Sequence, residues 1–217
     1  THEYGLFFGK SSSSQVGRLD RNEKQKSRYD LFDNSGAFEW VNFRKHGGLR
    51  IEAPQMYYPI YISSNLDWRI PKILWSEEDR EWIILEEKRS DEQVLYPIDE
   101  NGQERRWKWA IERLVDSPND VTVKKDRTKN FTIYIKSRMP EGITPPTWWE
   151  KSEYSATDYG TKSLKELFGF LGSFTYPKAI ELVMDCIQVA GANDEFIVLD
   201  FFAGSGTTAH AVMNLNR

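Results

Sequence analysis

Apolar and polar residues alternate along the middle of the chain in a way that predicts several short strands. Residues 82–85 and 94–98 are apolar runs of strand length. Residues 121–125 and 131–135 alternate with a period of two around a basic turn, which predicts a hairpin with a cationic tip. Asn101-Gly102 is the strongest hairpin signal in the chain. These patterns predict a region rich in antiparallel hairpins.

Other segments predict elements with less regularity. Residues 50–62 alternate around Pro59, which predicts a strand near a sheet edge. Residues 33–36 predict a turn, and residues 110–115 predict a short helix. We also expect a short strand at residues 4–8. The Ser-rich residues 11–14 are expected to form a flexible linker. Residues 16–28 are polar with little periodicity, and we expect them to be mobile.

A strand, loop and helix pattern lies near the end of the chain. The apolar run 195–199 predicts a buried strand, Gly204-Ser205-Gly206-Thr207-Thr208 follows it, and residues 210–215 have a helical pattern. Glycines let a ligand approach the backbone, and a helix start offers unpaired N–H groups. No Lys follows the second glycine, so the loop is not a P-loop. A cofactor loop and a simple strand-to-helix connection both remain open on this pattern alone.

The segment upstream adds further motifs. Residues 160–169, then Phe174-Thr175-Tyr176-Pro177-Lys178, then a helical pattern at 180–187 lead into the Asp-x-Phe-x-Gly-x-Gly sequence that begins at Asp200. Together they resemble the adjacent cofactor motifs of DNA amino-methyltransferases in which the target-recognition region precedes the cofactor loop. More narrowly, the chain resembles the modification subunit of a type III restriction-modification system. Residues 1–10, 56–61 and 100–109 are also similar to that family.

This resemblance implies a fold, a cofactor and partners. The expected fold class is α/β, with a mixed α+β recognition region containing hairpins joined to part of a Rossmann-like methyltransferase domain that binds S-adenosylmethionine. Residues 1–10 would be the tail of the catalytic domain, 11–150 the target-recognition region and 151–217 an incomplete cofactor-binding part. Duplex DNA, a restriction subunit and a second copy in a homodimer are the implied partners.

The cofactor site is expected around the glycine loop. Gly204 and Gly206 would permit close backbone approach, and Thr207 and Thr208 would cap the following helix. Asp200, at the end of its strand, would hold the loop or the methionine ammonium. The resemblance further implies that the upstream Phe-Thr-Tyr-Pro-Lys segment lines the methionine side. The candidate cofactor-binding residues are Asp200, Phe201, Phe202, Gly204, Gly206, Thr207, Thr208, Phe174, Thr175 and Lys178.

One departure from the family is the absence of its catalytic tetrapeptide, Asp-Pro-Pro-Tyr. The single Pro-Pro pair, Pro145-Pro146, is flanked by Thr residues, which supply neither the acidic acceptor nor the aromatic ring. No catalytic residue is therefore assigned. We expect an excised piece, inactive alone, of an enzyme that methylates the N6 amine of an adenine flipped out of duplex DNA.

Charge is unevenly distributed, although the net charge of −4 argues against a DNA-binding protein. Acidic residues predominate between residues 73 and 100, whereas basic residues predominate from 101 to 140. A local basic patch is what backbone phosphates require. Ordinary solvated strand and helix faces are the alternative explanation.

The basic region contains two tryptophans spaced by two, which places them on one side of a strand. Trp107 and Trp109 are expected to pack in the core, which leaves the neighbouring cations to face DNA. The hairpin tip would add a second group of cations. The candidate DNA-binding residues are Arg105, Arg106, Lys108, Lys124, Lys125, Arg127 and Lys129.

Composition excludes several classes of protein. A chain of 217 residues with 39% hydrophobic content can bury a sizeable core. Its one cysteine, Cys186, lies in an apolar helical pattern, which predicts a core residue rather than a nucleophile. A single cysteine excludes a disulfide framework and indicates a cytoplasmic protein. No apolar run approaches the roughly 20 residues of a membrane span. The three histidines share no metal-ligand spacing, so no metal is expected.

Two other functions remain open. The chain could be a module that binds DNA or another subunit without catalysis of its own. It could also be a nucleotide-binding enzyme of unrelated chemistry, which the missing Lys in the glycine loop disfavours. An Asp-Pro-Pro-Tyr motif upstream in the same gene would favour the methyltransferase.

Overall fold

The protein has a mixed α+β fold, which the resemblance implied for its recognition region, and the Rossmann-like part of the expected α/β class stays a prediction. The computed structural model describes residues 4–125, 130–169, 174–191 and 195–217. Two compact units are present: one combines Thr1–Lys26 with Pro140–Arg217, and the other is Ser27–Met139. The division at residues 10 and 150, between recognition and catalytic parts, follows from the family resemblance and stays a prediction. We call the two parts the outer unit and the central unit.

The central unit contains the strands and one helix. The elements are β1 (Leu31–Asp33), β2 (Gly36–Asn42), β3 (Arg44–Leu49), β4 (Ile60–Ser63), β5 (Trp68–Arg69), β6 (Ile73–Ser76), β7 (Glu81–Ile84), β8 (Glu92–Leu95), β9 (Arg105–Trp107), α2 (Ile111–Asp116), β10 (Val121–Lys125) and β11 (Phe131–Arg138); α1 (Glu23–Lys26) precedes them in the outer unit. The four-stranded antiparallel sheet has the order β1-β2-β11-β10, and smaller antiparallel sheets pair β3 with β9, β4 with both β5 and β8, and β6 with β7.

Aromatic side chains dominate the core of the central unit. Phe43 stacks on Trp107 with ring centroids 4.8 Å apart. The indole Nε1 of Trp107 donates to the carbonyl of Tyr58, and the Tyr58 hydroxyl donates to the carbonyl of Trp109, each at 2.8 Å. Both polar atoms are therefore satisfied inside the core, as buried groups must be. The buried cluster consists of Phe43, Tyr58, Ile60, Ile62, Trp107, Trp109, Leu114, Val123, Phe131, Ile133 and Ile135.

Most of the predicted hairpins of the central unit are confirmed. β10 and β11 pair antiparallel from Val121 opposite Ile135 to Lys125 opposite Phe131. β7 and β8 lie within one to three residues of their predicted bounds, and α2 is the predicted short helix. Gly102, with a φ of 78°, closes the turn that begins at Asp99.

The strand predicted over residues 50–62 is much shorter and lies in a different place in its sheet. Only Ile60–Ser63 is a strand, and it is the central strand between β5 and β8 rather than an edge. Pro59 directly precedes the strand, so the N–H that proline lacks is not needed for the ladder. Two single turns of 3₁₀ helix, Arg50–Glu52 and Pro54–Met56, take up the rest of the segment.

The described part of the outer unit consists mainly of helices. Besides α1, it contains α3 (Thr161–Phe168), α4 (Ile180–Ala190) and α5 (Thr207–Leu215). Ile180 and Ile187 of α4 pack with Ala211 of α5 in a small apolar cluster. The described helices do not include one with the length and apolar character needed to cross a membrane.

Two strands predicted for the outer unit are wrong. Residues 4–8 and 195–199 have no strand geometry, and Ile197 is 96% exposed. A strand is stabilised by pairing with another strand, and neither segment has one beside it in the described part of the unit. Val198 instead packs on the α4–α5 cluster.

Part of the polar segment 16–28, which was expected to be mobile, contacts the rest of the outer unit. Leu19 is buried and forms an antiparallel bridge with Ile143. The N–H of Gly17 donates to the carbonyl of Val189 in α4 at 2.8 Å. The start of this segment is therefore an irregular chain that packs at these two residues, and the linker predicted at residues 11–14 stays a prediction.

Candidate functional site

The glycine loop has the backbone geometry that its sequence requires. Gly204 and Gly206 have φ values of 55° and 77°, in the left-handed region that costs other residues about 1–2 kcal/mol. The N–H of Gly206 donates to the carbonyl of Ala203 at 2.7 Å, which closes a tight turn. α5 begins at the next residue, Thr207. The loop therefore presents backbone, without side chains at either glycine, directly ahead of a helix.

Asp200 holds the start of this loop, as one of its two predicted roles required. Its Oδ1 accepts a hydrogen bond from the N–H of Phe202 at 3.0 Å. The carboxylate thus fixes the chain where the glycine loop begins. Its second predicted role, contact with a ligand ammonium, stays a prediction.

The predicted capping of α5 by its threonines is wrong. Gly206 is the N-cap residue, and no side chain makes a capping hydrogen bond to the helix start. Thr207 lies inside the first turn, and its hydroxyl is 2.9 Å from that of Ser205. Thr208 follows Thr207 in the helix and does not cap it either. Helix N-terminal N–H groups without a capping side chain are the groups that bind an anionic or polar ligand.

Aromatic residues surround the loop and are unusually exposed. Phe201 and Phe202 are 81% and 92% exposed. Phe174 comes to the loop from the upstream segment: one of its ring carbons is 3.8 Å from the position that a Cβ on Gly204 would occupy. Thr175 and Lys178 follow on the same segment and are exposed. The structure thus brings one of the three upstream candidates to the loop, while the roles of the other two stay predictions.

A buried carboxylate that the sequence analysis missed lies on α4. Asp185 is 8% exposed and accepts hydrogen bonds from the Tyr154 hydroxyl and, at 2.5 Å, from the Lys151 ammonium. Burial, followed by the hydrogen bond to this carboxylate, raises the pKa of Tyr154 well above its usual range. A charged residue inside an otherwise apolar helical run was the available sequence signal. The cluster ties the residues before α3 to α4.

Cys186, the next residue of α4, has the environment of a packing residue. Burial raises the pKa of its thiol, and the neighbouring Asp185 charge acts in the same direction. A thiol nucleophile needs the opposite shift, toward thiolate. Within the described residues, no group of three His, Cys, Asp or Glu side chains is arranged as metal ligands would be.

The candidate DNA-binding residues of β9 differ from one another in their surroundings. Arg105 forms an ion pair with the largely buried Asp99 at 2.7 Å. Hydrogen bonds from the Gln103 N–H and then from Arg105 lower the pKa of Asp99. The Nε of Arg106 is 3.5 Å from a carboxylate oxygen of Glu52. Both arginines thus already have acidic neighbours within the fold.

Lys108 and the lysines of the hairpin are more accessible. Lys108 is exposed between two buried tryptophans, as the alternation predicted. Lys124 and Lys125 are exposed at the end of β10, with their ammonium groups 5.2 and 5.0 Å from the rings of Tyr134 and Phe131. The remaining candidates of the hairpin tip, Arg127 and Lys129, lie outside the described residues.

Known proteins are similar to this chain over its full length. Residues 1–217 match the DNA methylase family. The type II methyltransferase M.KpnI of Klebsiella pneumoniae is 33% identical over 221 residues, which are 99% of this chain and 47% of that protein. The type III restriction-modification enzyme EcoPI Mod subunit of Escherichia phage P1 is 33% identical over 225 residues, which are 100% of this chain and 32% of that protein.

A third relative matches a shorter stretch. The type III restriction-modification enzyme EcoP15I Mod subunit of Escherichia coli is 60% identical over 58 residues, which are 26% of this chain and 9% of that protein. The chain thus spans about half of M.KpnI and about a third of the EcoPI Mod subunit. Because the family matches every residue from 1 to 217, this chain belongs to the DNA methylase family.

Proposed function

We propose that the protein containing this chain transfers a methyl group from S-adenosylmethionine to the N6 amine of adenine in duplex DNA. The observation that carries the proposal is the left-handed backbone of the glycine loop ahead of a helix without a side-chain cap, in a chain that belongs to the DNA methylase family. The names of its relatives, a type II methyltransferase and type III Mod subunits, support DNA methylation as the reaction. The names of the type III relatives, which are subunits of restriction-modification enzymes, support a restriction subunit as a partner. The resemblance to that family implies adenine N6 as the acceptor.

The residues around the loop fit the proposed cofactor. A Cβ on Gly204 would stand 3.5 Å from the Phe202 carbonyl and 3.8 Å from Phe174, so a side chain there would fill the space beside the loop. Asp200, Phe201, Phe202, Thr207 and Thr208 would surround the ligand with the two glycines, and Phe174, Thr175 and Lys178 would line the methionine side. The pocket would form part of a Rossmann-like domain. S-adenosylmethionine supplies an electrophilic methyl group on a sulfonium when bound.

This chain's own contribution to the reaction is positioning. Asp200 holds the loop through the Phe202 N–H, and the helix start leaves N–H groups for the ligand. The protonated thiol of Cys186 offers no nucleophile. We therefore propose direct transfer to the amine, without a covalent link between enzyme and base. The adenine would have to leave the helix to reach the methyl group.

The central unit is proposed to recognise DNA. It contains most of the residues 11–150 assigned to target recognition, and its exposed lysines, Lys108, Lys124 and Lys125, support this role. A homodimer and a cytoplasmic location complete the proposal. The residues 1–10 and 151–217 would then belong to the catalytic domain.

Replacing Gly206 tests the cofactor site. In the full-length protein, Gly206→Ala places a side chain at a φ of 77°, and the strain shifts the loop. We expect the affinity for S-adenosylmethionine, measured by calorimetry, to fall about tenfold or more, since about 1.4 kcal/mol of strain corresponds to a factor of ten. Methyl transfer to DNA, followed by nucleoside analysis, should fall with it at low cofactor concentration.

Gly102→Ala is the matched control. Gly102 has a φ of 78°, and at both Gly102 and Gly206 a Cβ would have no other group within 4 Å. Gly102 lies in a turn of the central unit, so its replacement should cost similar stability while leaving cofactor affinity unchanged. Equal effects of the two variants on cofactor binding would contradict the proposed site. Absence of methyl transfer by the unaltered protein would contradict the proposed function.

A further inference from the structure

A basic cleft lies in the central unit. It has a volume of about 590 Å³ and opens over the face of the four-stranded sheet that carries Val41 and Ile135. The start of α2 forms another wall through Trp109 and Arg113. Two acidic residues, Glu39 and Asp120, also line it. Five cationic side chains line the cleft: Arg28, Lys108, Arg113, Lys136 and Arg138.

Two of these cations are neutralised by a network of acids. Arg138 contacts Asp33 at 2.7 Å and Asp120 at 2.8 Å, and Lys136 contacts the same carboxylates at 2.6 and 3.5 Å. Hydrogen bonds from Arg138 and then from Lys136 hold the pKa of Asp33 far below its usual range. Two cations and two ionised carboxylates leave no net charge in this wall of the cleft.

A third cation, Arg28, is also paired. One of its guanidinium nitrogens is 2.6 Å from the Glu39 carboxylate. This pair connects the segment before β1 to β2 and cancels both charges. The acidic residues of the cleft are therefore all engaged with three of its five cations.

Lys108 and Arg113 differ from the other three, because no carboxylate in the described part of the chain lies within ion-pair distance of either. The Arg113 guanidinium lies over the Trp109 ring, 4.3 Å from its centroid, so an aromatic face rather than an acid holds it. Partial burial lowers the pKa of the Lys108 ammonium, and the negative charge of Glu39 offsets part of this change by raising it. An anion bound at this side of the cleft would offset the loss of hydration at Lys108.

We propose that Lys108 and Arg113 bind backbone phosphates of duplex DNA at this cleft. The inference rests on the proposed DNA methyltransferase function and adds a subsite to it. Both side chains only donate hydrogen bonds, and a guanidinium on an aromatic ring presents its N–H edge outward, which matches phosphate oxygens. Arg28, Lys136 and Arg138 shape the cleft without contributing charge. The contacts position DNA irrespective of its sequence.

Salt-dependent binding of the full-length protein to a duplex of random sequence tests the proposal. We expect Lys108→Gln with Arg113→Gln to reduce the slope of log affinity against log salt concentration by about one to two units, since each lost phosphate contact removes about 0.9. The charge-preserving pair Lys108→Arg with Arg113→Lys should retain most of the slope. Thermal unfolding of each variant should match that of the unaltered protein, because both side chains are exposed.

Lys72→Gln with Lys88→Gln is the control for net charge. Both lysines are exposed in the central unit and do not line the cleft. This pair should leave the slope unchanged. A slope equal to that of the unaltered protein in the Lys108 and Arg113 double variant, or an equal loss in the control, would overturn the proposal. Failure of the methyltransferase proposal is read separately, as absence of methyl transfer by the unaltered protein, whatever the binding slopes.

Discussion

At the scale of single residues, burial separates side chains that serve the fold from those available to a ligand. Trp107 is 2% exposed, with its ring stacked on Phe43 and its N–H satisfied by a backbone carbonyl. Two positions before it, Arg105 is held by a buried acid, whereas Lys108 on the opposite side is exposed. Two cations of the same short segment thus differ: Arg105 serves the fold, whereas Lys108 is available to a ligand.

Trp107→Ala should strongly destabilise the central unit. Removing a buried indole leaves a cavity, and we expect the free energy of unfolding to fall by roughly 3–5 kcal/mol. Urea denaturation would measure it. The matched control is Leu74→Ala, because Leu74 is 57% exposed and surface replacements usually change stability by roughly 0.5 kcal/mol or less. Similar losses in the two variants would contradict the packing described for Trp107.

Glu92 makes the stability of the central unit depend on pH. Its side chain is 3% exposed, and its oxygens accept from Arg69 at 2.6 and 2.8 Å. The hydrogen bond from Arg69, with a second from the Arg89 N–H, lowers the pKa of Glu92 to about 2 from its ordinary 4.5. Because the folded state favours the ionised form, this stabilisation is complete above about pH 4.5 and is lost as the pH falls toward 2.

Glu92→Gln should therefore lower the melting temperature at neutral pH, and its difference from the unaltered protein should shrink as the pH falls from about 4.5 toward 2. Thermal unfolding over a pH series measures both effects. Glu78→Gln, at an exposed acid of the same unit, should show neither. A difference that persists undiminished at pH 2 would show that packing, and not the ionised carboxylate, accounts for the effect.

At the scale of elements, pairing partners determined which sequence patterns became strands. The β10–β11 hairpin was predictable because both strands and their turn are adjacent in the chain, so each supplies the partner of the other. β2 completes the same sheet from almost a hundred residues away, with Val41 opposite Ile135, and that pairing had no local signal. Residues 195–199 have an equally apolar pattern but no partner strand in the described part of their unit, and they are not a strand.

At the scale of the whole molecule, the outer unit is proposed to bind the cofactor and the central unit is proposed to bind DNA. The glycine loop and α4 belong to the outer unit, and the basic cleft belongs to the central unit. The net charge of −4 conceals this arrangement, because it does not show which cations of the central unit are paired with acids, as Arg28, Lys136 and Arg138 are. Overall charge is therefore a poor guide to DNA binding in this protein.

The proposed reaction makes a prediction for the whole protein, since direct transfer to an amine needs no thiol. Cys186→Ser in the full-length protein should leave methyl transfer to DNA essentially unchanged, because the thiol is held protonated within α4. Nucleoside analysis of the treated DNA should show N6-methyladenine. Finding 5-methylcytosine instead, together with loss of activity in a folded Cys186→Ser variant, would contradict direct amine methylation.

The sequence by itself determined the family, the glycine loop and the local hairpins. Family membership follows from motifs that are contiguous in the chain, and the left-handed backbone of Gly204 and Gly206 is a conformation that favours glycine. The inward orientation of Trp107 and Trp109 followed from a spacing of two, which is the period of a strand. The loop and the tryptophan orientation depend on residues within a few positions of one another, and each family motif is a short continuous segment.

Only the tertiary structure decided which charges are free. Asp33 and Asp120 neutralise Lys136 and Arg138 from other parts of the chain, and Asp99 engages Arg105, while Lys108 and Arg113 have no such partner in the part of the chain that the structure describes. The attraction between two charges weakens as the distance between them grows. The packing of the sheet sets this distance for side chains that are remote in sequence. Among the candidate phosphate contacts the fold therefore favours Lys108 over Arg105, which Asp99 engages, and it adds Arg113.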